Sequence, residues 1–282
     1  MPLPPNATET LLETAGDDEV ASTAGDISAQ AGDPNFMASL ARGLAVIQAF
    51  SPQRRQMSIS QISQKTGIPR AAVRRCLYTL AKLGFVGAED GRNFALRPRI
   101  LSLGHAYLAS TPLGKAAQPV LRDVSNRLHE SSSIAILDGD DILYIARAST
   151  ARIMTIDLDV GSRLPAVYTS MGRVLLAALP EAERQACLGR AKLIQYTPQT
   201  LMTVQALGEE LARVKAQGYA VIDQELEIGL RSIAVPITAP DGQVVAAINV
   251  GLQAARVSVE EMGQRILPVL REAAAELALL LA

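Results

Sequence analysis

Cysteine and histidine are scarce. The 282 residues include two of each, Cys76 and Cys187, His105 and His129. They lie far apart and show no metal-ligand spacing, which speaks against a disulfide framework and a structural zinc site. No metal and no cofactor is expected. Long apolar runs are also missing: no stretch approaches the roughly 18 uncharged apolar residues of a membrane span. The amino terminus lacks the basic-then-apolar order of a secretion signal. The expectation is a cytoplasmic protein in a reducing compartment, with no membrane partner. A third scarcity is local. Residues 1–35 contain seven acids and neither Lys nor Arg. Rich in Ala, Thr, Asp, Gly and Pro without periodic apolar spacing, they read as a disordered acidic tail.

The bases absent from the tail are concentrated just after it. Residues 36–110 hold eleven Lys and Arg against Glu89 and Asp90, whereas residues 111–282 hold sixteen bases and nineteen acids. An almost neutral chain therefore has one basic pole, as docking to phosphate requires. Within it, Met57–Phe85 reads as two short helices around a tight turn. Ile59, Ile62 and Ile68 anchor the first helix and the turn; Gly67 permits the turn, and Pro69 is pre-set for a first helical position. Val73, Cys76, Leu77, Leu80 and Leu83 recur at helical spacing and should face inward. That leaves Arg70, Arg74, Arg75 and Tyr78 outward, with Ser60 and Ala71 counted beside them. Such a helix fits a DNA major groove, where Arg can take guanine bidentately.

A solvated basic face on an ordinary helical hairpin is the competing reading. The flank decides against it: Phe85–Leu96 has two short apolar runs joined through Asp90-Gly91, a hairpin signal, which beside a recognition helix is a wing. Arg92 at its tip, with Asn93, would sit near phosphates or the minor groove. Ser39–Phe50 is an amphipathic helix that can cover the core. Residues 36–97 are thus expected to form a winged helix-turn-helix, and residues 98–111 a linker helix. The stripe Ile100, Leu101, Leu103, Tyr107 and Leu108 on that linker suggests packing against a second copy, giving two recognition helices for two half-sites, with packing back on its own domain as the competing reading.

Residues 112–282 alternate helical and strand-like segments. Helices are expected over Pro112–Glu130, Ser170–Ala178, Glu181–Leu188, Val204–Gln217 and Ser258–Leu281. Strands are expected in a hairpin turning at Asp138-Gly139, then at Ile153–Leu158, Tyr219–Ile222, Ser232–Ile237 and Val244–Leu252. Helices around an antiparallel sheet give an α+β domain with room for a small pocket. Asp223, Glu225 and Glu227 invite an enzyme reading. No histidine, nucleophile or metal cluster accompanies them, and Ser170-Met171-Gly172 lacks the Gly-x-Ser-x-Gly elbow of a hydrolase. No catalytic residues are assigned.

Three stretches carry a resemblance. They are Gly161-Ser-Arg-Leu-Pro-Ala-Val-Tyr-Thr-Ser-Met-Gly-Arg-Val-Leu-Leu-Ala177, Gly218-Tyr-Ala-Val-Ile-Asp-Gln-Glu-Leu-Glu-Ile-Gly-Leu-Arg-Ser-Ile-Ala234 and Val244-Val-Ala-Ala-Ile-Asn-Val250. In this order behind a winged helix, the chain resembles IclR-family transcriptional regulators from about Phe36 onward. The second stretch is similar to the branch that controls catabolism of aromatic acids through the protocatechuate, 4-hydroxybenzoate and β-ketoadipate pathways. The resemblance implies a GAF-like α+β effector domain. It also implies operator DNA and a small carboxylate effector (an aromatic acid or a dicarboxylate) as partners, a homodimer or dimer of dimers, and RNA polymerase as a further contact. It places the effector carboxylate against Ser170 and Met171, with walls from Ile153, Ile156, Leu164, Ile222, Leu230, Ser232, Asn249 and Gly251. Some relatives carry a carboxylate at Ile222, and here Asp223 is the adjacent acid. Physical chemistry agrees with an anion at this point. Thr169 or Ser170 caps a helix whose opening N–H groups at Ser170, Met171 and Gly172 have no helical acceptor. Gly172 is expected to let a ligand approach the backbone.

Overall fold

The structure, a computed structural model, describes residues 24–25, 27–30, 32–51, 53–150 and 158–281. The chain divides into two compact units at Tyr107–Leu108. In the amino-terminal unit, helices α1 (Ala38–Gln48), α2 (Ile59–Thr66) and α3 (Arg70–Lys82) enclose a core of Val46, Ile62, Ile68, Val73, Leu77 and Leu80. Ser58 starts α2 through a capping box with Gln61, and Gly67 ends it at φ 68°, the left-handed geometry that glycine adopts without strain. Pro69 caps α3 rather than opening it, its φ of −54° and ψ of 140° lying just outside the helix.

Strands β1 (Met57–Ser58), β2 (Val86–Gly87) and β3 (Asn93–Leu96) pair antiparallel in the order β1-β3-β2. The expected wing hairpin is present, extended by β1, a strand too short to show periodicity. Leu83 does not face inward: it is 51% exposed. The chain leaves the helix at Lys82 and turns at Gly84 (φ 80°), so Phe85 and Val86 take the place on the core that Leu83 would have filled. Ala24, Gly25 and residues 27–29 are helical and Ile27 is buried, so the end of the segment expected to lack structure is ordered. That turn stands at the helix-turn-helix bend, with the Ala24 methyl 3.0 Å from where a side chain on Gly67 would begin. Beyond the wing, a 3-10 turn (Pro98–Ile100) leads into α4 (Leu101–Ser110), on which Leu101, Leu103 and Tyr107 are exposed.

The carboxy-terminal unit is built on a six-stranded antiparallel sheet. Its strands are β4 (Ser131–Asp138), β5 (Asp141–Ala148), β6 (Arg163–Pro165), β7 (Ala220–Asp223), β8 (Leu230–Thr238) and β9 (Val244–Gln253), in the order β6-β5-β4-β9-β8-β7. Successive side chains on a strand point to opposite faces, and here the faces differ in chemistry. Ile134, Ile233, Val235, Ile248 and Val250 form a dry layer with Leu121 and Val124 of α5 (Pro112–Leu128) and Leu270 and Leu277 of α9 (Leu267–Leu279). The alternate residues Ser131, Ser133, Ser232, Asn249 and Gly251 belong to the other face, which α6 (Ser170–Ala178) covers. Helices α7 (Glu181–Arg190) and α8 (Val204–Gln217) complete that side. This is the α+β architecture that the segment pattern predicts.

The expected strand at Ile153–Leu158 lies almost entirely outside the described residues. The single carboxy-terminal helix expected from Ser258 is broken instead: a capping-box turn at Val259–Glu261 and a π-turn at Met262–Ile266 precede α9. Pro268, at the start of α9, has no N–H for an i→i−4 bond, and a widened turn absorbs the defect. Among the described residues no helix is long and apolar enough to cross a membrane.

Candidate functional site

Two sites emerge, one in each unit. On α3, Val73, Leu77 and Leu80 are buried while Arg70, Ala71, Arg74, Arg75 and Tyr78 are exposed. The helix thus turns a basic face outward because its apolar residues recur at three and four. Lys82 Nζ lies 5.6 Å from the centre of the Tyr78 ring, adding a cation beside it. Ser60 is exposed in the first turn of α2. In the wing, Asp90 Oδ1 accepts the Arg92 and Asn93 amides at 2.8 and 2.7 Å, and Oδ2 accepts the Asn93 side-chain amide at 2.7 Å. These bonds, the Asn93 amide foremost, hold the Asp90 carboxyl below the usual carboxylate range. The tip is therefore pre-shaped with the Arg92 side chain exposed, whereas the Asn93 side chain is engaged in building the turn.

Sequence reasoning missed two cations at the base of the wing. The Arg97 guanidinium lies flat against Gly87, where a methyl would stand 2.1 Å from its Nε, and Arg99 sits 5.6 Å over the Phe85 ring.

The second site is a cavity of about 50 Å³ between α6 and the polar face of the sheet. A space of this size holds a few water-sized groups. Of the residues expected around an effector, Leu164, Ser170, Ile222, Leu230, Ser232, Asn249 and Gly251 line it together. The strand register explains the convergence. Gly251 faces Ser131 on one side and Ser232 on the other, and Ser232 faces Ile222, so one row crosses four strands. Ser170 opens α6 above that row and is 1% exposed. Its hydroxyl is the buried side-chain polar atom that has no hydrogen-bond partner among the described residues. A buried hydroxyl in that condition ordinarily costs about 1–3 kcal/mol. The amides of Ser170 and Met171, first in α6, have no acceptor within the helix either.

Other expectations are corrected. Gly172 is not an approach point for a ligand. Its N–H donates to Thr169 Oγ1 at 3.0 Å, and a methyl on it would meet the Ala166 carbonyl oxygen at 2.1 Å; the glycine admits the protein's own backbone. Met171 is fully buried beneath the helix and absent from the lining. Asp223 is turned away by strand alternation and pairs with Arg231, Oδ1 accepting from Nε at 2.6 Å. That bond holds its carboxyl below the usual range. Glu225 forms a bidentate pair with the buried Arg173, accepting from its two terminal nitrogens at 2.8 and 2.6 Å. Arg173 Nε donates to the Val167 carbonyl at 3.0 Å, so the pair ties α6 to the loop that supplies Leu226 to the cavity. Two of the acids that invited an enzyme reading are thereby neutralised. Ile153 and Ile156 lie outside the described residues.

The cavity also contains Thr169, one of the two expected caps, and residues that the sequence did not single out: Ser131, Ser133, Tyr144, Arg147, Leu158, Tyr168 and Leu226. Burial pushes the Tyr144 phenol up to about 12, so it is protonated at neutral pH. The triple Ser131-Ser132-Ser133 opening an otherwise apolar strand was the available signal, since such residues recur on alternate faces.

Known proteins match both units. Residues 39–90 match the IclR helix-turn-helix domain, and residues 105–279 match the bacterial transcriptional regulator IclR C-terminal domain. The Pca regulon regulatory protein of Pseudomonas putida is 55% identical over 259 residues, 92% of this chain and 89% of that one. A putative transcriptional regulator from Rhodococcus sp. RHA1 aligns with a TM-score of 0.78 at 45% identity, covering 87% of this chain and 98% of that one. An IclR homolog from Microbacterium hydrocarbonoxydans, solved in complex with 4-hydroxybenzoate, aligns with a TM-score of 0.76 at 26% identity, covering 86% and 98%. The matched domains are regulatory, not catalytic.

Proposed function

The chain belongs to the IclR family of bacterial transcriptional regulators, and from that premise we propose that it controls an aromatic-acid catabolic operon in response to a small carboxylate. The observation that carries the effector reading is the Ser170 hydroxyl, buried at the mouth of α6, facing the cavity and lacking a partner among the described residues. A carboxylate there accepts from the hydroxyl and from the free amides of the helix start, whose dipole favours a negative charge. The 4-hydroxybenzoate bound by the Microbacterium homolog supports an aromatic acid or a related small carboxylate as the effector.

In this reading two copies, or two pairs, join through the apolar stripe of α4 and present two α3 helices to a pseudo-palindromic operator in the cytoplasm. Arg70, Arg74, Arg75 and Tyr78 read the major groove, with Ser60, Ala71 and Asn93 at its margins, and Arg92 holds phosphate. Effector binding shifts the arrangement of the two heads, and with it operator affinity or contact with RNA polymerase, by a coupling of about 1–3 kcal/mol. Operator binding followed by fluorescence anisotropy, with and without a panel of aromatic and dicarboxylic acids, tests the reading. Arg74→Ala weakens specific binding by about 1–3 kcal/mol and leaves acid-induced thermal stabilisation intact. Unchanged operator affinity in that variant overturns the recognition-helix assignment; operator binding by wild type that no acid alters overturns the effector reading.

A further inference from the structure

The carboxy-terminal unit has a second recess, on the α5 side. Arg122, Ser125, Asn126 and His129 recur at intervals of three and four, so they share one side at the end of the helix. Together with Ser149 and Thr150, just past β5, they bound a depression of about 380 Å³, far roomier than the 50 Å³ cavity beneath α6. Among the described residues no Asp or Glu lines it. The side chains of Arg122, Asn126 and His129 make no hydrogen bond or ion pair among the described residues, whereas Arg127 on the same helix meets Asp123 and Glu272. His129 sits at the C-cap with φ 56° and ψ 31°. Left-handed backbone costs a residue with a side chain about 1–2 kcal/mol, and glycine would end the helix there without that cost, so backbone geometry gives no reason for an imidazole at this point. A merely solvated helix face requires neither the recess nor the strained residue at its rim. Hydrogen bonds also join the two recesses. Ser149 Oγ accepts from Arg147 Nε at 3.3 Å, and the Thr150 amide donates to Ser131 Oγ at 3.2 Å; Arg147 and Ser131 line the cavity beneath α6.

We propose that this depression is a second ligand site, which takes a small oxyanion, a carboxylate or a phosphate, between the Arg122 guanidinium and the His129 imidazole, with Asn126 as a further donor. Through Ser149 and Thr150 the bound anion adjusts Arg147 and Ser131, and so changes the affinity of the cavity beneath α6 for its acid. That coupling rests on the reading of the cavity as the effector site; the anion site itself does not. The test uses the full-length protein with its histidines labelled with carbon-13 at Cε1, titrated with inorganic phosphate and separately with acetate at pH 7 and fixed ionic strength. The chain has two histidines, so His105 serves as the internal reference and His129→Gln assigns the signals. At least one anion moves the His129 signal saturably while His105 stays still, and Arg122→Gln weakens that titration about tenfold or more. Ser170→Ala leaves it intact. The anion that saturates at the lower concentration tells phosphate from carboxylate. With the site filled, calorimetric affinity for 4-hydroxybenzoate or adipate shifts about fivefold or more in wild type and not in Arg122→Gln. A His129 signal that neither anion moves, or that moves equally in Arg122→Gln, overturns the site. Acid affinity indifferent to a filled site overturns the coupling. A His129 signal that still titrates in a wild type binding neither acid overturns the effector reading and leaves the anion site standing.

Discussion

Replacing Ser170 with alanine should have opposite effects on the empty and the occupied protein. The hydroxyl is 1% exposed and lacks a partner among the described residues, so in the acid-free protein its removal relieves a cost of about 1–3 kcal/mol rather than breaking a bond. Alanine suits the first turn of a helix, and the cap is untouched because Thr169 Oγ1, not Ser170, accepts the Gly172 amide at 3.0 Å. The small void left behind offsets part of the relief, leaving a net gain of up to about 1 kcal/mol, or roughly 2–4 °C in melting temperature for a domain of this size. In the acid-bound protein the same change deletes a hydrogen bond to a charged group, worth about 1.5–3 kcal/mol. Affinity for the acid therefore falls about tenfold to a hundredfold. Differential scanning fluorimetry with and without ligand, joined to calorimetric titration, reads both signs. Thr169→Ala is the contrasting control: losing the cap lowers the acid-free melting point by the equivalent of about 1 kcal/mol. An acid-free Ser170→Ala protein that melts well below wild type while keeping full acid affinity refutes the reasoning, since the hydroxyl would then serve the fold and not the ligand.

Arg173→Met strands the Glu225 carboxylate in a buried site, with Arg173 1% and Glu225 12% exposed, and should destabilise the protein by about 3–5 kcal/mol. Arg173→Met combined with Glu225→Leu should recover most of that loss in urea unfolding, and a double variant no better than the single one contradicts a charge-pair origin. Asp223 supplies a pH-dependent increment. Its hydrogen bond from Arg231 lowers its folded pKa beneath the ordinary 3.8, so its contribution is fully present above about pH 3.8 and lost as pH falls through the lower folded value. The urea-midpoint gap between wild type and Asp223→Asn should be constant from pH 5 to 7 and close in stronger acid; a gap that closes near neutrality points to another group.

What the sequence revealed follows from the range of the forces involved. The recognition helix was legible because its pattern is local: Val73, Leu77 and Leu80 repeat within one helix, and their spacing alone turns Arg70, Arg74 and Arg75 outward. The bounds of α8 and the turn at Gly139, where φ is 66°, were legible for the same reason. Strands β1 and β6, of two and three residues, exist through pairing with distant partners and carry no period of their own. Leu83 had the right spacing and the wrong fate because the helix stopped one residue before it.

The cavity tests that argument more sharply. Ser170 was found because a helix start is written in adjacent residues, Thr169 through Gly172. Arg147 was not, because its position depends on the pairing of β5 with β4 and of β4 with β9, including a register shift at Ile134–Ala135. Without that shift the alternation along β5 would place Tyr144 and Arg147, three residues apart, on opposite faces; with it both line the same cavity. The bulge is therefore what brings a protonated phenol and a guanidinium to one cavity. Deleting Ile145, the residue that the shift leaves over, closes the bulge while Ala146 stays opposite Ile134 and Arg147 opposite Ser133, so Tyr144 and Arg147 should keep to the cavity face. Acid binding should therefore persist in that variant, and its loss in calorimetric titration, with operator binding through the α3 face retained, contradicts this account of the bulge.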